Sequence, residues 1–336
     1  RVTEGYADAS DMQISAGKSG VWGTQSQLRV QLASAQIAGE KVPVVSQARV
    51  LGAQQSFNKK RAKSRIDIQL NTCVRMCERI QALPLSMERR AHLVGTFVIP
   101  KALYAVAVGK PPKRAMGRLS AACNRAIWGQ ANRHRCREIL HTCVVPGHRC
   151  DPLQVCSYLT ILTARRVLAK HAEELVPAMQ RIIELRNEGF GAPTCTGPGH
   201  ALHHALRQSG ASLELLRNAF VYHTPDGQSK EMLFIGSDTK KFQHELRETM
   251  RSSQWVHLTR RRQGFDGIQL GIDRAATCVL QNKVSGLQRY QLRCCMTGAV
   301  ATKDRLFKMG KAEDDLCVAC GMGRETWAHI VDDCPH

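Results

Sequence analysis

The sequence predicts a mainly α protein with a short mixed α/β stretch first, a helical bundle next and a small Cys/His knuckle last. Three observations carry that expectation. Apolar residues recur every three or four positions through much of 63–186, the mark of helices with one buried face. β-Branched residues set between Gly and Pro gather in the first 50 residues. The pattern Cys317-x2-Cys320-x8-His329-x4-Cys334 packs thiols and an imidazole into the final segment. A chain of 336 residues, 43% hydrophobic, has enough apolar side chain for a packed core and the length of two or three domains.

The elements follow in order. Residues 2–11 read as a short helix, 12–15, 20–23 and 42–45 as extended pieces, and 25–37 as a second helix. From Lys63, the series Ile66, Leu70, Cys73/Val74, Cys77 and Ile80 makes one apolar stripe, which Pro84 stops. A helix from 87 toward 98 meets Pro100, which kinks or ends it. The next, 114–128, sets Leu119, Ala122/Cys123 and Ala126/Ile127 on one side and Arg114, Arg118 and Arg125 on the other, with Gly129 as its cap. Asp151-Pro152 is an N-cap followed by proline at the first helical position, opening a helix to 168 or beyond, with helical sequence to about 186. Residues 189–200 are rich in Gly and Pro and read as a linker. Beyond them 201–221 and 240–258 are expected helices around a turn at Pro225-Asp226-Gly227.

The charge is uneven. Of a formal net charge of +20, residues 51–150 hold 19 Lys/Arg against 4 Asp/Glu. Residues 251–300 hold 8 against 2, and 301–336 are slightly acidic, 5 against 7. Such concentration favours a face for a polyanion, nucleic acid first, over a charge spread for solubility. Aromatics at 5% argue against bases stacked on successive rings, so a phosphate-reading surface fits better. No run of 18 uncharged apolar residues exists; 91–109 is interrupted by His92, Pro100 and Lys101, so no membrane span is expected. Fourteen cysteines without a signal peptide point to a reducing intracellular compartment, nuclear or cytoplasmic. The start at Arg1 and the end at Cys334-Pro335-His336 are read as those of a piece of something longer.

The strongest chemical signal is the C-terminal one. Cys317 and Cys320 supply two thiolates from one tight turn, Gly321 and Gly323 let the backbone fold back, and His329 and Cys334 complete a tetrahedral structural zinc site. His336 is an alternative to Cys334. Three thiolates and one imidazole leave a net charge of about −1 around Zn²⁺, which Arg324 or Lys311 is placed to offset. Cys136, His141, Cys143, His148 and Cys150 crowd together without knuckle spacing and are read as ordinary buried or surface residues. Gly17-Lys18-Ser19 has Met12 where a phosphate loop needs glycine, and is read as a turn. Tyr6-Ala7-Asp8-Ala9 lacks the second aspartate of a two-metal site. No catalytic constellation is seen.

Several runs taken together resemble the reverse transcriptases of non-LTR retrotransposons. Gln13-Ile14-Ser15-Ala16-Gly17-Lys18-Ser19 followed by Arg49-Val50-Leu51-Gly52 resembles the end of that family's palm. Arg79-Ile80-x3-Pro84-Leu85-x3-Arg89-Arg90, Ile99-Pro100-Lys101-Ala102-Leu103-Tyr104-Ala105 and Ala126-Ile127-Trp128-Gly129 look like its thumb helices. Met296-Thr297-Gly298-x3-Thr302-Lys303-Asp304-Arg305-Leu306, then Cys317-x2-Cys320-Gly321, Glu325-Thr326, His329 and Cys334-Pro335, resemble its zinc-binding segment. The likeness covers about 13–185 and 290–335.

The resemblance implies a palm remnant at 1–52, a helical thumb-like domain at 53–188, a linker and helical connection at 189–290, and a zinc-binding segment at 291–336. It implies an RNA/DNA template–primer as partner, with Lys59, Lys60, Arg61, Lys63, Arg65, Arg114, Arg118 and Arg125 on its phosphates. The family's catalytic aspartates lie upstream of the matched region, so Mg²⁺ is expected only for a palm this chain lacks, and the chain alone is expected not to polymerise DNA. The other reading is a stand-alone basic helical nucleic-acid-binding protein with a structural zinc site.

Overall fold

The computed structural model describes residues 19–23, 25–37, 39–50, 53–56, 63–107, 111–129, 135–189, 197–224, 227–262, 265 and 267–336. The helix expected at 2–11, the strand at 12–15, Gly17 and Lys18 of the Gly-Lys-Ser run, the Tyr-Ala-Asp-Ala run, and Lys59, Lys60 and Arg61 lie outside them.

The N-terminal stretch is mixed, as expected, but its helix is shorter. α1 (Ser26–Leu32) gives way to β1 (Gln36–Ile37), which pairs antiparallel with β2 (Glu40–Lys41) around Gly39 at φ +78°. That left-handed backbone suits glycine, and the strand at Gln36–Ile37 takes the place of the end of the helix expected over 25–37. Val21 and Val44 form a parallel bridge, and β3 (Gln47–Val50) pairs with β4 (Ala53–Ser56) as a hairpin.

The bundle begins at α2 (Lys63–Ala82), whose Leu70, Cys73, Cys77 and Ile80 are buried, the stripe read from the sequence. α3 (Met87–Leu93) starts at Ser86, whose hydroxyl accepts from the Arg89 N–H at 3.3 Å. Pro100 neither ends nor breaks the rod. Val94–Val98 widens into a π-type turn in which the Ile99 N–H reaches the Val94 carbonyl, and α4 (Ile99–Ala102) continues through the proline. Proline has no N–H to donate, and the extra residue in the turn absorbs the misfit. α5 (Lys113–Trp128) buries Leu119, Cys123 and Ile127 against α2, with the Cys77 and Cys123 sulfurs 3.7 Å apart. α6 (Arg137–Ile139) and α7 (Gly147–Cys150) flank a second π-type turn at Leu140–Val144. α8 (Pro152–Lys170) opens as its cap predicted, the Leu153 N–H donating to Asp151 Oδ1 at 3.0 Å. At His171 (φ −134°) the backbone leaves the helical region, so the run to 186 is two helices, with α9 (Ala172–Asn187) second.

The largest departure lies in the segment read as linker and helical connection. α10 (Pro198–Ser209) stops at Gly210, φ +68°, a left-handed C-cap. The chain then forms a three-stranded antiparallel sheet of β5 (Ala211–Glu214), β6 (Ala219–His223) and β7 (Ser229–Leu233), where a helix over 201–221 had been expected. The run Ala-Phe-Val-Tyr-His is β-branched and aromatic, and in the sheet Phe220 and Tyr222 face the same buried side. Between β6 and β7 the Thr224 N–H donates to the Gln228 carbonyl at 2.9 Å, while Pro225 and Asp226 of the expected turn lie outside the described residues. α11 (Thr239–Thr259) is the helix expected at 240–258, capped by Asp238. α12 (Arg274–Lys283), α13 (Gly286–Met296) and α14 (Lys303–Lys308) complete the chain before the Cys/His segment.

Two cores result. The first joins α2, α3, α5 and the start of α8, and takes in Cys294 and Ala299 from the C-terminal region. The second packs Ile161, Leu168, Leu202, Phe220, Phe234, Phe242 and Leu246, so α8 is a wall shared by both. Phe242 stands edge-on to Phe220 and Phe234, ring centres 5.1 and 5.7 Å away. Among the described residues no helix is long and apolar enough to cross a membrane.

Candidate metal centre and basic face

The Cys/His segment is built by a small hairpin. Leu316 and Arg324 form an antiparallel bridge, the Cys317 N–H donates to the Gly323 carbonyl at 2.7 Å, and the Gly321 N–H donates to the Cys317 carbonyl at 2.8 Å. Gly321 sits at φ +67°, the left-handed corner that brings Cys320 back beside Cys317. Gly323 is needed for a different reason: a Cβ there would lie 2.9 Å from Cε1 of His329. Thr326 caps the final turn, its Oγ1 accepting from the His329 N–H at 3.1 Å, and so directs the imidazole into the hairpin.

The result is a four-ligand cluster. One ligand atom each from Cys317, Cys320, His329 and Cys334 lie within 4.8 Å of one another. Cys317 Sγ is 3.9 Å from Cys334 Sγ, and Cys320 Sγ is 3.1 Å from His329 Nε2. Four ligands at zinc bond lengths in a tetrahedron put sulfurs about 3.8 Å apart, so the donor set and spacing suit a metal ion of that kind. Cys334, and not His336, belongs to the cluster. Amide N–H groups of Met322 and Gly323, with His329 beside them, pull the Cys320 thiol down to about 6, which favours the thiolate a metal needs. The His336 amide pulls Cys334 down, but desolvation and the neighbouring Cys317 and Cys320 thiols outweigh it and hold it above the usual range.

The supporting shell was not legible as such in the sequence. Glu325 bridges two elements, Oε1 accepting from the Lys303 N–H at 2.8 Å and Oε2 from the Val318 N–H at 3.0 Å. Arg324 pairs with Asp315 at 2.6 Å and with Asp304 at 2.8 Å, and Lys308 also reaches Asp304. Lys308 and Arg324, working against desolvation, keep the Asp304 carboxyl below its ordinary range. Arg324 or Lys311 is expected to offset the thiolates; the structure pairs Arg324 with two carboxylates, Asp304 and Asp315. The nearest sequence signals were the Thr302–Leu306 and Glu325-Thr326 runs, which carry these residues without saying which partners they take.

The other Cys/His crowd makes no such cluster among the described residues. His141 is buried, Nε2 2.7 Å from Asn124 Oδ1 and Nδ1 3.6 Å from Cys150 Sγ, while the Cys136 thiol donates to Glu138.

Of the basic residues, Arg114, Arg118 and Arg125 lie exposed on one face of α5, opposite Leu119 and Cys123. Arg118 also donates to Asn71 Oδ1 of α2 at 3.4 Å. Lys63 and Arg65 fall in the first turn of α2, their side chains outside the described residues. Arg135 was missed: its guanidinium lies over Trp128 at 5.9 Å, and burial, then the nearby charge of Arg125, lowers its pKa.

Fold and site together define a basic, mostly helical protein with a four-ligand Cys/His centre. No family model, curated protein or solved structure matches the chain.

Proposed function

We propose that the chain is the C-terminal part of a non-LTR retrotransposon reverse transcriptase, an RNA-directed DNA polymerase, and that it grips the backbone of an RNA/DNA template–primer. One observation carries the binding role: Arg114, Arg118 and Arg125 project from one exposed helix face while the opposite face is packed. Positions 114 and 118 are about 6 Å apart along the axis, so successive guanidiniums follow a strand and contact phosphates without reading sequence. The Cys/His centre holds structural Zn²⁺, fastening the last segment to α14 through Glu325.

The experiment is a titration of the chain with an RNA/DNA duplex over a range of salt. Affinity that falls steeply with salt, and less steeply when the three arginines become glutamine, supports the grip. Affinity unchanged by those substitutions sinks it. Primer extension by this chain alone would overturn the claim that catalysis needs residues it does not contain.

A second reading is a stand-alone basic helical nucleic-acid-binding protein with a structural zinc site. It shares the Cys/His centre and the basic face of α5 with the first. An in-frame Tyr/Phe-x-Asp-Asp within the reading frame upstream of Arg1 decides for the first reading.

A further inference from the structure

A concentration of positive charge, two of its arginines partly buried, lies away from both α5 and the Cys/His centre. Arg247 and Arg251 stand one turn apart on α11, and Arg274 opens α12. Like charges at that helical spacing repel, and a cation in a first helical turn opposes the helix dipole. The three line a cavity of 80 Å³ with His148, Tyr158 and Gln154.

The acid pairing there, among the described residues, is Glu248, 2.6 Å from Arg251 and 3.9 Å from Arg274. Arg247 gives one Nη to Tyr158 Oη at 2.9 Å and to Gln243 at 3.5 Å, its guanidinium lying over the Tyr158 ring. These contacts leave donors over. Arg247 Nε and Arg251 Nη1 are buried and have no acceptor among the described residues. A buried guanidinium donor without an acceptor is costly, and three cations facing one carboxylate add to that cost. Burial lowers the pKa of His148, and after it every further cause is an arginine: Arg247, Arg149, Arg251 and Arg274. The field at this spot is positive, with Glu248 offsetting only part of it.

We propose that Arg247, Arg251 and Arg274 form a pocket for a single phosphate group. The chemistry is that of guanidinium forks on a tetrahedral oxyanion, with Arg247 Nε and Arg251 Nη1 as the donors so far unmatched. The cavity is partly open to solvent and has room for a tetrahedral anion against the three guanidiniums. The phosphate is either inorganic or the terminal monoester of a nucleic-acid strand; a phosphodiester needs two exits for its chain. The pocket does not depend on the Cys/His centre or on the α5 arginines.

The test is calorimetric titration of the full chain with inorganic phosphate in chloride buffer, beside Arg247→Gln and Arg274→Gln. Arg274 is half exposed, so its substitution spares the fold, and circular dichroism and metal content serve as controls. Saturable 1:1 binding, weakened at least fivefold by each variant, is the expected result. No saturable binding to the parent chain, or variants that weaken it less than fivefold, overturns the proposal. A competition arm identifies the source. Displacement of phosphate by a short 5′-phosphorylated strand but not by its 5′-hydroxyl twin supports a strand end. Displacement by neither supports a free anion, and equal displacement by both overturns a pocket for a terminal phosphate. Zinc content and α5-dependent duplex binding are read separately, so failure here leaves the proposed function standing.

Discussion

Arg293 and Glu88 form an ion pair at 2.5 Å across 205 residues of chain, joining α13 to the first turn of α3. The arginine is largely buried, its Nε also donating to Gln281 Oε1 at 3.1 Å, whereas the carboxylate is half exposed. This pair, with Cys294 and Ala299 in the first core, seats the approach to the Cys/His segment on the helical bundle.

Arg293→Met should therefore cost more than Glu88→Gln. The first leaves Gln281 and Glu88 without their buried donor, about 1–3 kcal/mol; the second leaves the arginine other partners. Urea unfolding of both variants checks the order, and equal losses would contradict it.

Replacement of Gly323 by alanine should weaken metal binding without unfolding the bundle. Its Cβ would press on His329 at 2.9 Å and turn the imidazole away from the three sulfurs. Loss of ligand orientation costs on the order of 10- to 100-fold in affinity. Competition with a chromophoric chelator measures it. The parent chain should carry about one Zn²⁺, and a Cys317→Ser/Cys320→Ser variant that keeps full zinc would refute the assignment.

Combined Arg114→Gln, Arg118→Gln and Arg125→Gln should lower the slope of log affinity against log salt by about 3, roughly one for each phosphate that is no longer neutralised. The same change should act alike on duplexes of different sequence, because groups that touch only the backbone carry no base information. Fluorescence anisotropy at several salt concentrations reads both.

Stability should fall on mild acidification. Burial lowers the pKa of His141 and His203, and burial with nearby arginines lowers that of His148. The unfolded chain takes up protons at these positions from about pH 6.5 downward, and the folded chain does so only at lower pH. The stability they contribute is complete above about pH 6.5 and is lost progressively as pH falls through the folded values. Thermal unfolding between pH 7.5 and 5 should show it, and His141→Gln should flatten the dependence. An unchanged slope in that variant would remove His141 from the account.

Phe220→Ala should cost about 3–5 kcal/mol, because its ring is fully buried and touches both Phe234 and Phe242. Chemical denaturation measures the loss. A cost under 1 kcal/mol would show that the β5–β7 sheet does not rest on this cluster.

The helices of the bundle were legible because their information is local. Leu70, Cys73, Cys77 and Ile80 repeat at the helical period, and Asp151-Pro152 and Gly129 mark the ends that the structure shows. The region 201–221 misled for a related reason. Alternation in Ala219-Phe-Val-Tyr-His spans too few residues to outweigh the helical sequence before it, and a strand needs partners that lie elsewhere in the chain. The four ligands were legible from spacing, since a tight turn fixes the first two. Glu325, bound to Lys303 and Val318, was not, since its role exists only once α14 and the hairpin are side by side.

By itself the sequence determined where α2, α3, α5, α8 and α11 begin to within a residue, which faces of α2 and α5 are apolar, that Cys317, Cys320 and His329 with Cys334 or His336 can share a metal, and that the arginines of α5 stand apart from its packed side. Helical period, capping and ligand spacing act within a few residues of one another, so no distant partner is needed to read them. Tertiary structure decided that α8 is shared by two cores, that a sheet follows α10, and that Arg247, Arg251 and Arg274 face one cavity. Each of those brings together groups far apart in the chain, and their free energy comes from burial and pairing that arise only when the fold closes.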